Sequence, residues 1–375
     1  MRILIAPDSF GGTMSAVQAA DAMAEGWRRG APGDEVALRP LSDGGPGFVD
    51  VLASVLPGDL LAVPTTDPLG RPVTGAVLLH GGTAYVESAQ ATGLHLLASA
   101  ERDPLRTSST GVAALLLAAA AAGARTAVVG LGGSATNDAG AGCLAALGIT
   151  PLAANGDPLP PGGAALAGLD RLVGASRLPG GLVLVAATDV DNPLVGEYGA
   201  SAVFGPQKGA GPRDVQRLDL ALARWAEVVG RDLPGAPAGL ATLPGAGAAG
   251  GLGAGLFVLG AHRRSGIETI SAAVGLPAAL AAADLVITGE GSFDAQSLRG
   301  KVVSGVAAAA AEQGLPCLVL AGQVAVGRRE LAAAGVAAAY SVAAAAGSVA
   351  AAMDRPAERL ADLAARVAEQ RRTGH

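Results

Sequence analysis

The chain has 375 residues, half of them hydrophobic but only 3% aromatic, with a net charge of −6 and a pI near 5.3. That length supports two domains with separate cores, filled mainly by small Ala, Val and Leu side chains. No Lys/Arg-rich block is present, which speaks against a nucleic-acid or anionic-membrane partner.

Residues 2–6 form a short apolar run of the buried-strand type. Ser15 with Gln18 three positions later is a capping-box pattern, and Val17, Ala20, Ala24 and Trp27 recur at helical spacing until Gly30. Residues 35–41 read as a second strand ending in the loop SDGGPG, so the start of the chain is a βαβ unit with a parallel sheet. Between residues 61 and 97 the character changes. Turn residues Asp67, Pro68 and Gly70 and the pair Gly81-Gly82 set off short β-type runs at 73–80 and 83–87, which is hairpin spacing. The Ala-rich stretch 111–124 is too short for a membrane span of roughly 20 residues and reads as a buried helix. Strand 126–130 runs into GLGGSATNDAGAG, and strand 182–187 into TDVDNP. Residues 206–261 are helix-bearing, with LPGAGAAGGLGAGL expected as loop. Strand 285–288, loop GEGSFDAQSLRG, helix 301–312 and strands 315–321 and 336–341 follow. A terminal helix begins at Pro356, with Leu360, Leu363, Ala364 and Val367 on one face. The two chain ends are thus expected to build one doubly wound domain (1–62 and 283–375). The middle, 63–282, forms a second, with a ligand cleft between them. Cys143 and Cys317 read as buried free thiols of a reducing compartment, and the scattered histidines argue against a histidine-built metal site.

Chemistry is concentrated where strands end. Asp8 with Gly11-Gly12, Asp43 with Gly44-Gly45, Gly132-Gly133 with Asp138, Asp189 with Asp191 and Asn192, and Glu290 with Gly291 and Asp294 all follow strand-like runs. In a parallel sheet such ends share one edge, where ligands bind. Glycines let backbone N–H groups approach phosphate, and carboxylates hold the accompanying Mg²⁺. The plainer reading is that Gly and Asp make turns, which serves for any single loop better than for five. Only two of the 26 cationic residues are lysines, Lys208 and Lys301. Each suits a phosphate, which favours a compact ammonium, or has survived a drift toward Arg by chance. No GxxxxGK[ST] loop is present. GLGGSA at 130–135 matches a loose dinucleotide pattern, but the acidic residue expected about 20 positions on is missing, which leaves an NAD-dependent oxidoreductase as a remote alternative.

Together APDSF (6–10), PLSDGG (40–45), GLGGSATNDAGAG (130–142), DVDNPLVGEYGASAVFGPQKGAG (189–211) and ITGEGSFDAQSLRGKV (287–302) resemble the bacterial glycerate kinase family, nearly end to end. The resemblance implies an α/β protein of two domains, a Rossmann-like doubly wound parallel sheet plus a second mixed α/β domain that carries much of the substrate and phosphate site. It implies a cytoplasmic enzyme that uses ATP and Mg²⁺ to phosphorylate D-glycerate, with 2-phosphoglycerate the favoured product. The alternatives are a kinase for a related small hydroxy acid, or a lapsed relative that only binds one. An assembly of identical chains is open to it. By this resemblance Asp189, Asn192, Lys208 and Lys301 are catalytic candidates, and Gly132, Gly133, Ser134, Gly289 and Gly291 contact ATP. Asp43, Glu290 and Asp294 hold metal, while Asp8, Ser9 and Asp138 hold substrate. Two departures stand out. Gly11 replaces the Lys of the family's DSFKG, and DGGPGF, with Pro46 and Phe48, replaces DGGEGT.

Overall fold

The capping box at Ser15 forms as its spacing requires. Gln18 N donates to Ser15 Oγ at 3.2 Å, Ser15 N donates to Gln18 Oε1 at 2.9 Å, and the helix Ala16–Gly30 follows. The computed structural model describes residues 1–295, 297, 298 and 302–373. By its contacts the chain divides into two compact units, one of residues 1–43, 50–56 and 267–375, the other of residues 44–49 and 57–266.

The first unit is built on a five-stranded sheet, in spatial order Val336–Ser341, Cys317–Ala321, Leu285–Thr288, Arg2–Ile5 and Glu35–Leu38, every pair parallel. Alternate residues go to opposite faces. Ile3, Ile5, Leu285, Ile287, Leu318 and Leu320 pack under the helices Ala16–Gly30 and Pro356–Thr373, while Leu4, Val286 and Val319 between them are equally buried. Sheets of this kind need both faces covered, which explains why these strands are apolar throughout rather than alternating. From Arg2–Ile5 the chain goes to one neighbour and later returns on the other side with Leu285–Thr288. The topological switch point therefore lies between these two strands.

The second unit has a six-stranded sheet. His262–Arg264, Val183–Ala187, Thr126–Gly130 and Thr83–Glu87 are parallel, and Pro72–His80 and Asp59–Thr66 add an antiparallel meander through the Gly81-Gly82 turn. Two reversals restore direction, so Thr66, Glu87, Gly130, Ala187 and Arg264 all end at one edge. The Ala-rich stretch is the helix Val112–Ala121, and the long amphipathic helix Pro212–Asp232 buries Leu218, Leu222, Trp225 and Val229.

One expectation fails. The segment LPGAGAAGGLGAGL is not all loop, because the helix Leu252–Val258 begins inside it. Its glycines serve contact rather than freedom: a Cβ on Gly253 would lie 2.2 Å from Gly245 O, and one on Gly255 would lie 2.9 Å from Ala139 O. Cys143 and Cys317 are buried and free, and burial pushes both thiols up. Among the described residues no helix is long and apolar enough to cross a membrane.

The contact between the helices Ala16–Gly30 and Pro356–Thr373 is also backbone on backbone. A Cβ on Gly26 would lie 1.9 Å from Ala361 O, and one on Gly30 would lie 2.3 Å from Ala365 O. Gly26→Val is therefore expected to destabilise the protein by about 1–3 kcal/mol, the cost of overpacking, read as a lower urea midpoint with an unchanged m-value.

Candidate active site

In the first unit the loops that follow the parallel strands gather acidic groups at the switch point. Asp8 N donates to Gly289 O at 2.8 Å, which ties the loop after Arg2–Ile5 to the loop after Leu285–Thr288. Asp8 Oδ1 accepts from Ser9 N at 2.6 Å. Burial pushes the Asp8 carboxyl up to about 7, aided by the negative charges of Asp43 and Glu290. Glu290 is itself buried, and its carbonyl accepts from Gly322 N at 3.0 Å. The glycines permit the crowding. A Cβ on Gly289 would meet Leu320 O at 1.9 Å, and one on Gly291 would meet Gly11 N at 3.0 Å. Asp294, expected with the metal set, pairs locally with Ser297: its N donates to Ser297 Oγ at 3.1 Å and its Oδ1 accepts from Ser297 N at 3.3 Å. Lys301 lies outside the described residues.

In the second unit three loops meet at the carboxyl edge of the sheet. Gly44 sits where a Cβ would be 3.0 Å from Ala187 O, and a Cβ on Gly130 would be 2.6 Å from Gly44 O. A Cβ on Gly132 would lie 2.7 Å from Gly45 Cα, and one on Gly133, where φ is +63°, would lie 2.6 Å from Pro46 Cδ. The side of Gly132 and Gly133 that a Cβ would occupy is thus filled by the 44–46 loop. The helix that follows, Ala141–Ala146, starts well beyond the turn, so this is not the strand–turn–helix of a dinucleotide site.

The loop from Gly130 is pinned from all sides. Ser88 Oγ donates to Gly130 O at 2.7 Å, Leu94 N to Gly133 O at 2.9 Å, and Thr107 Oγ1 to Ala135 O at 2.9 Å. Asp138, expected to touch substrate, is fully buried. Its Oδ2 accepts from Ser109 N at 2.8 Å, Ser109 Oγ at 2.9 Å, Gly142 N at 3.2 Å and Ser108 Oγ at 3.3 Å, and its Oδ1 accepts from Gly140 N at 3.1 Å. The geometry makes it the post that holds the loop. Lys208 is only 2% exposed, and its Nζ donates to Thr136 O at 2.7 Å and Ser134 Oγ at 3.0 Å. Burial pulls the Lys208 ammonium down to about 7, against the opposing pull of Asp138. Ser134, expected on phosphate, is thereby a partner of Lys208.

Asp189 follows the strand Val183–Ala187. Its Oδ1 accepts from Ser265 Oγ at 2.6 Å and Gly266 N at 3.1 Å, and Thr188 N beside it donates to Arg264 O at 2.9 Å. Asn192 Nδ2 donates to Tyr198 O at 2.8 Å, and Gly247 N donates to Asn192 O at 3.0 Å. Asn192 therefore braces the loop below Asp189. Sequence reasoning passed over Glu87, Ser108 and Ser109. Buried Glu87 accepts from Gly47 N at 3.2 Å and Val49 N at 3.3 Å through Oε2, which holds the loop beyond Pro46. A glutamate closing an otherwise apolar strand was the signal for it.

The glycerate kinase family profile matches residues 3–372. The chain belongs to the glycerate kinase family. It is an enzyme of this type. It is 41% identical over 371 residues to the glycerate kinase of Halalkalibacterium halodurans, which covers 98% of this chain and 97% of that one. To the glycerate 2-kinase of Escherichia coli K12 it is 41% identical over 329 residues, 86% of each chain. A crystal structure of a candidate glycerate kinase 2 from Salmonella typhimurium LT2 superposes with a TM-score of 0.83 at 40% identity, covering 100% of this chain and 99% of that one. Within this glycerate kinase family member the two departures have visible settings. Gly11 takes a left-handed φ of +47°, which a lysine would adopt only with strain. Pro46 packs its ring against Gly133.

Lys208 makes a measurable prediction. Its folded pKa, near 7, lies below its ordinary value of 10.5, so between those pH values the unfolded chain binds more protons and stability rises with pH. The rise is at most about 1.4 kcal/mol per pH unit for this one group. Chemical denaturation at pH 7, 8.5 and 10 is expected to show this slope, and Lys208→Met is expected to remove it.

Proposed function

We propose that the chain transfers the terminal phosphoryl group of ATP, with Mg²⁺, to the 2-hydroxyl of D-glycerate. The observation that carries this reading is the acidic set Asp8, Asp43 and Glu290 at the switch point of a doubly wound sheet, where open α/β sheets bind their ligands. The family supports the reaction class, and the name of the Escherichia coli relative supports the 2-position.

The donor set fits a divalent cation. Among the described residues no three His, Cys, Asp or Glu side chains are placed to hold one ion together, but Mg²⁺ bound with nucleotide takes one or two carboxylates and completes its shell with phosphate oxygens and water. Asp43 and Glu290 would supply those carboxylates, with Asp8 beside them. When bound, Mg²⁺ neutralises charge on the transferring phosphate. The protein's own contribution is placement, since phosphoryl transfer asks little covalent chemistry of it. Asp189, oriented by Ser265 and Gly266, accepts the proton of the attacking hydroxyl. Asn192 positions the Asp189 loop. Asp138 and Lys208 act through the loop they hold. Gly289 and Gly291 let the acidic loops close on one another. Pro46, where the family carries Glu, favours a second reading in which the acid phosphorylated is a relative of glycerate, so tartronate and small aldonates belong in the same assay.

Coupled detection of ADP is expected to show turnover only with ATP, Mg²⁺ and D-glycerate together, and NMR of the product to show 2-phosphoglycerate. Asp189→Asn is expected to lower kcat by about 10²–10⁴ with the thermal midpoint unchanged. ADP release indifferent to the acid, or a variant with full turnover, refutes the corresponding part of the proposal.

A further inference from the structure

The second unit contains a cavity of about 760 Å³ beyond the end of the outermost strand Asp59–Thr66. Its volume falls within the roughly 300–1,000 Å³ of small-molecule sites and far exceeds what a three-carbon acid fills. Its walls are largely apolar, with Leu105, Pro160 and Pro161 among them. Two guanidiniums, Arg106 and Arg217, line it as well; both residues are exposed, and neither side chain has an ion pair or hydrogen bond among the described residues. The one carboxylate in the lining, Asp67, is already engaged. Its Oδ1 accepts from Leu69 N at 2.8 Å and Arg71 N at 2.9 Å, and its Oδ2 accepts from Arg71 Nε at 2.5 Å.

The frame is built rather than incidental. Ala164 N donates to Leu105 O at 3.1 Å, and Gly162 with φ of +109° allows the 160–163 segment to lie on the backbone of Arg106, since a Cβ there would be 2.8 Å from Arg106 Cα. Leu218 of the helix Pro212–Asp232 packs against Gly163, which brings Arg217 alongside.

We propose that this cavity is a second binding site, for a phosphate-bearing organic anion of nucleotide size. Two unpaired guanidiniums match the charge of about −1.5 to −2 on a terminal phosphate, a group that guanidinium forks bind through paired hydrogen bonds. The apolar walls suit a flat or weakly polar body. Ser108 in the same lining donates to Asp138 Oδ2, so the occupant sits one side chain away from the carboxylate that holds the glycine-rich loop. This inference does not depend on where phosphoryl transfer is placed.

The test is calorimetric titration of the full chain with ADP and Mg²⁺. Two sites per chain are expected in the unsubstituted protein. The double variant Arg106→Ala/Arg217→Ala is expected to lose one of them, with affinity at least tenfold weaker, while Asp43→Asn loses the other. Ala165→Trp, which fills the cavity and leaves both arginines in place, is expected to repeat the arginine result. A single site abolished by both cavity variants would support the cavity and overturn the assignment of the donor phosphates to Asp43 instead. Unchanged stoichiometry and affinity in both cavity variants, with unchanged thermal midpoints, would overturn the inference.

Discussion

Close approach of one backbone to another is the constraint on which the rest of this structure depends. Loops carrying chemistry at the edges of both sheets are stacked main chain on main chain, with glycine at each point of contact. Gly44 and Gly130 meet in this way, as do Gly132 with Gly45 and Gly289 with Leu320. A side chain at any of these positions would overlap a carbonyl or a Cα. At these positions glycine is therefore a packing requirement. The same device joins the helices at Gly26 and Gly30 and sets the helix Leu252–Val258 against Ala139 and Gly140.

Close packing of this kind lets polar groups be buried at fixed places. Asp138 accepts from five donors across its two oxygens, and Lys208 reaches two acceptors of the same loop. Each such group is costly to bury unless its partners are already in place. The backbone contacts supply that preorganisation. Charge then collects where the loops leave room: Asp8, Asp43 and Glu290 in one unit, Asp189 in the other.

Much of this was legible in the sequence. Short apolar runs gave the strands Arg2–Ile5, Thr126–Gly130 and Leu285–Thr288, because fully buried parallel strands need apolar residues on both faces. The Ser15–Gln18 box and the Gly81-Gly82 turn mark their elements by local chemistry alone. The two-domain α/β class followed from the order of elements. What the sequence hid was direction and depth. Lys208 and Asp138 have the residue types of phosphate and substrate ligands, and nothing in their spacing reveals that both point into the protein. Gly132 and Gly133 carry a similar ambiguity, since a glycine that admits a ligand and one that admits another loop are spelled alike. The helix at Leu252 was missed because glycine signals freedom in isolation and close packing in context.

The account turns on the acidic set at the switch point of the five-stranded sheet. Crystals grown with ADP and Mn²⁺ in place of Mg²⁺ would locate the ion by anomalous scattering. The account predicts a peak in direct coordination with Asp43 or Glu290 and a phosphate oxygen. The lack of any nucleotide-bound ion coordinated by either carboxylate would contradict it.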